Sequence, residues 1–260
     1  MSEETDNAMT QKLIPVKRPP DPESIPQTPI ASPLPDSITP ITIKYRYGSS
    51  IYARQIPRQD LLKVQQLEEQ CRRFCLSLFF REQDPIRSLG LISAAPGEGK
   101  TFISAITAQI LAEDSLNLVT LVECNWNRPA LHNLYGFSPT PGLAEWIRGE
   151  CVEADISRSV AENLNVIPAG KGYHDEVRIL QRLKQRGIHT TLARSNGLLI
   201  VDLPDITTSA YSSLAASLLD SVAIVARIGV THEDLLRQTC AELSDVSIAG
   251  IILNEVESKR

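Results

Sequence analysis

Six short stretches of this chain, 88–94, 118–124, 164–168, 198–202, 222–228 and 248–253, are nearly continuous in apolar residues instead of alternating apolar with polar. A strand that reads this way is covered on both faces, as in a parallel sheet. Helical stretches lie between them, at 101–111, 177–184, 211–219 and 233–243. The alternation predicts an α/β fold, doubly wound around a mostly parallel sheet, with ligands bound where the strands end at their carboxyl termini. Ahead of the first strand, Leu62, Val64, Leu67, Cys71, Phe74, Leu78 and Phe79 recur mostly at steps of three and four, so an amphipathic helix is expected over 59–82.

Proline divides the chain. Of 17 prolines, ten fall in the first 60 residues and nine of those in the first 40. Proline removes a backbone donor and fixes φ, and few apolar residues are present there to offset ordering entropy. Residues 1–58 are therefore expected to be a disordered proline-rich tail, and 59–260 one folded domain. With 26 basic and 31 acidic side chains the net charge is −5, which offers no basic excess for nucleic acid. No stretch reaches the roughly 18 apolar residues of a membrane span, and the polar N-terminus has no signal-peptide core. A cytoplasmic location is the expectation. Five cysteines, an odd number, read as reduced thiols, and the Cys71/Cys75 pair has no partner pair that would complete a zinc site.

The chemistry concentrates at 94–101, Ala-Ala-Pro-Gly-Glu-Gly-Lys-Thr, which fits the phosphate-loop pattern with Ala94 in place of its first glycine. An apolar strand runs in and a helix runs out. Backbone N–H groups from Gly97 to Thr101 can wrap a β-phosphate, Lys100 can reach the β and γ oxygens, and the Thr101 hydroxyl can ligate Mg²⁺. A carboxylate at a neighbouring strand end completes such a site. The run 198–202, four apolar residues closed by Asp202, supplies it in the manner of a Walker B strand.

A third strand end, at 118–129, carries Glu123, Asn125, Arg128 and Pro129. With the loop at 96–101, Pro141-Gly142-Leu143, the stretch 164–170 and the final Gly-Ile-Ile-Leu-Asn at 250–254, it resembles the bacterial tyrosine kinases (BY-kinases), P-loop proteins of capsule and exopolysaccharide assembly. The resemblance covers roughly residues 65–254. It implies ATP and Mg²⁺ as cofactors, held by Pro96, Gly97, Glu98, Gly99, Lys100, Thr101 and Phe102, with Asn254 at the adenine. It implies Lys100, Glu123, Asn125 and Asp202 as the catalytic set, with Thr101, Glu123 and Asp202 at the metal. Glu69, Arg72 and Cys75 align with the family's oligomerisation motif, so a homo-oligomer is implied too. As in the separate-chain form of the family, the partner would be a membrane polysaccharide chain-length (co-polymerase) protein that recruits the chain to the inner face of the plasma membrane.

Three positions depart from the family pattern. Glu123 and Asn125 stand where the family has Asp-x-Asp, and asparagine can neither accept a proton nor lend charge to Mg²⁺. Cys75 replaces an arginine of the oligomerisation motif. The C-terminal tyrosine cluster is absent, and the tyrosines that do cluster are Tyr45, Tyr47 and Tyr52, near the end of the tail. The expected function is regulation of exopolysaccharide or capsule polymerisation and export by an ATP-binding BY-kinase-like protein, through tyrosine autophosphorylation. The alternatives are a non-catalytic ATP-responsive scaffold of the same machinery, or a partitioning-type ATPase. Against the last stands Ala95, where those ATPases place a lysine.

Overall fold

The computed structural model describes residues 40–43, 58–193 and 197–254. They belong to one structural unit, Asp36–Arg260; the other, Met1–Pro35, lies outside the described residues. Eight strands form one sheet: β1 (Pro40–Ile43), β2 (Ser88–Ser93), β3 (Val119–Glu123), β4 (Arg158–Ala161), β5 (Leu164–Ile167), β6 (Leu198–Asp205), β7 (Ser221–Arg227) and β8 (Ile248–Asn254). Their spatial order is β1-β8-β7-β2-β6-β3-β5-β4, and every pairing is parallel except β4 with β5. The chain winds outward from β2 in both directions, as the apolar runs predicted.

All six residues of β2, all five of β3 and all eight of β6 are buried. On one face lie α1 (Arg58–Phe79) and α2 (Lys100–Asp114), whose Leu67, Phe74, Ile103 and Leu111 pack on Leu89, Leu121, Ile200 and Val225. The short helix α3 (Leu131–Tyr135) joins the same face through Leu131. The other face is covered by α4 (Leu143–Arg148), α5 (Glu153–Ile156), α6 (Glu176–Arg186), α7 (Ser212–Ala216) and α8 (Glu233–Glu242). Between α1 and the sheet, α2 is buried over most of its circumference, which suits its run of Ile, Ala and Thr.

The expected helix at 59–82 is α1, and the six apolar runs are β2, β3, β5, β6, β7 and β8. Two strands have no counterpart among the six apolar runs. β4 is a four-residue hairpin partner of β5 with half-buried Arg158 and Val160, too short to show a period. β1 lies inside the stretch expected to be a disordered tail. Its Ile41, Thr42 and Ile43 are β-branched, and Pro40 opens an edge strand, where a missing donor is tolerated. The rest of residues 1–57, with Tyr45, Tyr47 and Tyr52, lies outside the described residues.

Candidate functional site

The loop at 94–99 leaves the carboxyl end of β2, the central strand from which the winding reverses. Gly97 and Gly99 have φ of 83° and 90°, a left-handed backbone that side chains resist. At Gly99 a Cβ would also collide with the Asn254 amide. The loop feeds α2, which starts at Lys100, and among the described residues no side chain caps its first turn. A helix start preceded by glycines and without a side-chain cap from its N-cap residue suits a phosphate site.

Three side chains converge below the loop. Thr101 Oγ1 donates to Asp202 Oδ2 at 2.7 Å, and Ser104 Oγ donates to Asp202 Oδ1 at 3.4 Å and to the Lys100 carbonyl at 2.9 Å. Lys100, Glu123 and Asp202 are all buried. Burial pushes the Asp202 carboxyl up to about 7; the Lys100 charge lowers it, and Glu123 raises it. Asp202 and Glu123 are register partners on adjacent strands. A hydroxyl and a carboxylate at hydrogen-bonding distance beside a lysine form a donor set that fits Mg²⁺ on a polyphosphate, an ion that keeps most of its own waters. Among the described residues no three His, Cys, Asp or Glu side chains form a metal-holding group.

Glu123 does more than face this cluster. Its Oε1 accepts the N–H groups of Ala130 at 2.5 Å and Leu131 at 2.9 Å, and its Oε2 accepts that of Ala169 at 3.3 Å. The carboxylate therefore staples the start of α3 to the end of β5. Burial raises its pKa, and these three bonds together with Lys100 pull it back only in part. Asn125 Oδ1 accepts the Arg128 N–H at 3.2 Å, closing the turn after β3. Neighbouring segments meet here as well. Leu143 and Ala144 donate to the Pro168 and Ala169 carbonyls, so close that a Cβ on Gly142 would strike Gly170. Trp126 packs beside them and donates to the Ala169 carbonyl at 2.8 Å.

Asn254 Nδ2 donates to the Glu98 carbonyl at 3.0 Å, so the asparagine expected at the adenine also holds the loop. Pro96 stands at the turn of the loop and Phe102 is half-buried against the α1 face. The residues aligned with the oligomerisation motif lie apart from the loop, on α1. Arg72 is engaged within the chain, with Asp114 at 2.7 Å and Glu113 at 3.7 Å. Glu69 pairs with Arg73 at 3.0 Å on the exposed side, and Cys75 is fully buried against α2. Sequence reading missed Ser104, Asp205 and Thr231. Asp205 closes the turn after β6 on the Thr208 N–H at 2.9 Å, and Thr231 reaches Glu98 from the turn after β7. None of the three lies in a motif; only Ser104, one helical turn beyond Lys100, carried a positional signal.

No family model matches the chain. In sequence it is 24% identical over 217 residues to EpsB of Ralstonia nicotianae, named as a tyrosine-protein kinase, covering 82% of this chain and 28% of that protein. The tyrosine-protein kinase Etk of Escherichia coli is 26% identical over 192 residues, 72% of this chain and 26% of that one. The succinoglycan biosynthesis transport protein ExoP of Rhizobium meliloti is 25% identical over 177 residues, 66% and 22% of the two. The chain thus spans about a quarter of the length of the curated relatives it matches. Among solved structures, the chimerical protein CapA2B2 superposes with a TM-score of 0.73 at 18% identity, over 85% of this chain and 96% of that one. The kinase domain of Escherichia coli ETK gives 0.70 at 23% identity, over 86% and 93%. A ParA family ATPase from Chlorobium tepidum gives 0.53 at 21% identity, over 67% and 75%.

The fold is that of the P-loop NTPases. In sequence the chain is similar to proteins named as tyrosine-protein kinases and to one named for succinoglycan biosynthesis transport, and in fold to the kinase domain of ETK and to CapA2B2.

Proposed function

We propose that the chain binds ATP·Mg²⁺ in the loop at 94–101 and works as a BY-kinase-like regulator of exopolysaccharide or capsule polymerisation and export. The observation that carries this reading is the junction at Thr101 and Asp202, 2.7 Å apart beneath an uncapped helix start with Lys100 buried alongside. In it, the N–H groups of 97–101 and Lys100 take the phosphates. Thr101 and Asp202 hold Mg²⁺, which when bound neutralises charge on the phosphate oxygens. Asn254 stands at the edge where the base would lie.

The partner in this reading is a membrane chain-length protein. Among the described residues no helix is long and apolar enough to cross a membrane, and in this reading that partner recruits the chain to the inner face of the plasma membrane. The likeness to relatives named for tyrosine kinase activity and for succinoglycan transport supports the pathway. The test is incubation of the purified chain with [γ-³²P]ATP, with and without the cytoplasmic segment of the partner. Label on tyrosine that needs Lys100 supports a kinase; label surviving in Lys100→Ala contradicts the role given to the loop.

A second reading, a non-catalytic ATP-responsive scaffold, is favoured by one observation. Among the described residues the Glu123 carboxylate accepts from the backbone N–H groups of Ala130, Leu131 and Ala169, and Asn125 closes a turn, so the positions of the family's catalytic acids are used to build the fold. That reading expects ATP·Mg²⁺ binding with phosphotransfer at background. Gain of tyrosine labelling in the double variant Glu123→Asp, Asn125→Asp would show that these two positions silence the site.

A further inference from the structure

The phosphate loop carries a negative charge of its own. Glu98 stands between Gly97 and Gly99 and is only 2% exposed. A loose carboxylate there would repel a polyphosphate and compete for the loop's N–H groups. Each of its oxygens is engaged instead. Oε2 accepts the N–H of Ala95 at 2.9 Å, and Oε1 accepts the hydroxyl of Thr231.

Thr231 lies in the turn between β7 and α8, far along the chain from the loop. Its own oxygen accepts the N–H of Arg227, the last residue of β7, at 2.8 Å, and its backbone N–H returns to the Arg227 carbonyl at 2.9 Å. The hydroxyl is therefore fixed to the sheet before it meets the loop. On the next strand, Asn254 holds the Glu98 carbonyl at 3.0 Å. The loop is held from β7 through a side chain and from β8 through the backbone.

We propose that Thr231 is a positioning residue for nucleotide binding: its hydroxyl holds the Glu98 carboxylate aside, so that the N–H groups of 97–101 stay directed at the phosphates. The inference rests on the ATP-binding reading above. In this role Thr231 acts through Glu98. Valine has the shape of threonine without the donor, and serine keeps the donor without the methyl, so the hydroxyl can be separated from the packing.

The experiment is calorimetric titration of the full chain with ATP·Mg²⁺ and with ADP·Mg²⁺, for wild type, Thr231→Val, Thr231→Ser, Glu98→Ala and the Glu98→Ala/Thr231→Val double variant. Thermal unfolding without nucleotide is recorded for each. Thr231→Val is expected to weaken both nucleotides about ten-fold, the loss of one hydrogen bond to a charged group. Thr231→Ser should stay within about two-fold of wild type, and Thr231→Val should add less than about two-fold once Glu98 is gone. Thr231→Ala replaces the valine variant if that one does not fold. Unchanged nucleotide affinity in Thr231→Val, with or without a lower melting temperature, overturns the inference and leaves ATP binding intact. A full additive loss in the double variant overturns the route through Glu98, and absence of ATP binding by wild type overturns both readings.

Discussion

Glu123→Ala removes a fully buried carboxylate that accepts three backbone N–H groups, from Ala130, Leu131 and Ala169. A buried donor left unpaired costs about 1–3 kcal/mol. The cavity left by alanine can admit water, and the Ala169 bond is long at 3.3 Å, so the low end applies to each. Relief of a desolvated charge, whose cost is visible in the raised carboxyl pKa, offsets part of the sum. The net expectation is a loss of about 2–3 kcal/mol. Urea unfolding without nucleotide or Mg²⁺ should then show a midpoint roughly 1–2 M lower at unchanged slope. Glu123→Gln can keep its carbonyl on Ala130 and Leu131 but turns an amide donor toward the Ala169 N–H, so about 1–2 kcal/mol is expected. An unfolding free energy for Glu123→Ala within about 0.5 kcal/mol of wild type would refute the stapling role. It would return Glu123 to the metal site, where its loss is felt only with Mg²⁺ present.

Gly99→Ala forces a side chain onto a φ of 90° and into the Asn254 amide, so nucleotide affinity should drop by at least about ten-fold in titration. Arg72→Ala breaks a partly exposed ion pair with Asp114 and should cost about 0.5 kcal/mol in urea unfolding. If stability is unchanged and the sedimentation coefficient falls, the arginine instead serves contact between subunits. Burial pushes the Cys71 thiol up to about 12 and raises those of Cys75 and Cys124 as well. Ellman's reagent should therefore reach only the partly exposed Cys151 and Cys240 in the native protein, and the three buried thiols only in denaturant.

The sheet was legible because burial on both faces writes itself into consecutive residues: Leu198 to Val201 need no partner to be read as a strand end leading to Asp202. The loop was legible because its glycines and Lys100-Thr101 are contiguous. Glu123 was read as a family position and not as a staple, since its partners stand seven, eight and 46 residues away and present only backbone N–H groups, which no side-chain pattern reveals. Thr231 escaped because the carboxylate it meets, that of Glu98, lies 133 residues away along the chain. Cys75 was read as the replacement of an arginine in the oligomerisation motif. In the fold it lies on the buried side of α1, where helix rotation, set by Leu67, Cys71, Phe74 and Leu78, decides what faces α2.

The central claim, that the loop at 94–101 is a nucleotide site built on Lys100, Thr101 and Asp202, is tested most directly by equilibrium titration of the full chain with ATP in the presence and absence of Mg²⁺, alongside Lys100→Ala. Saturable binding of one ATP per chain, strengthened by Mg²⁺ and weakened by about a hundred-fold in Lys100→Ala, is the expected result. Binding that is absent in wild type, or equal in the two proteins, contradicts it.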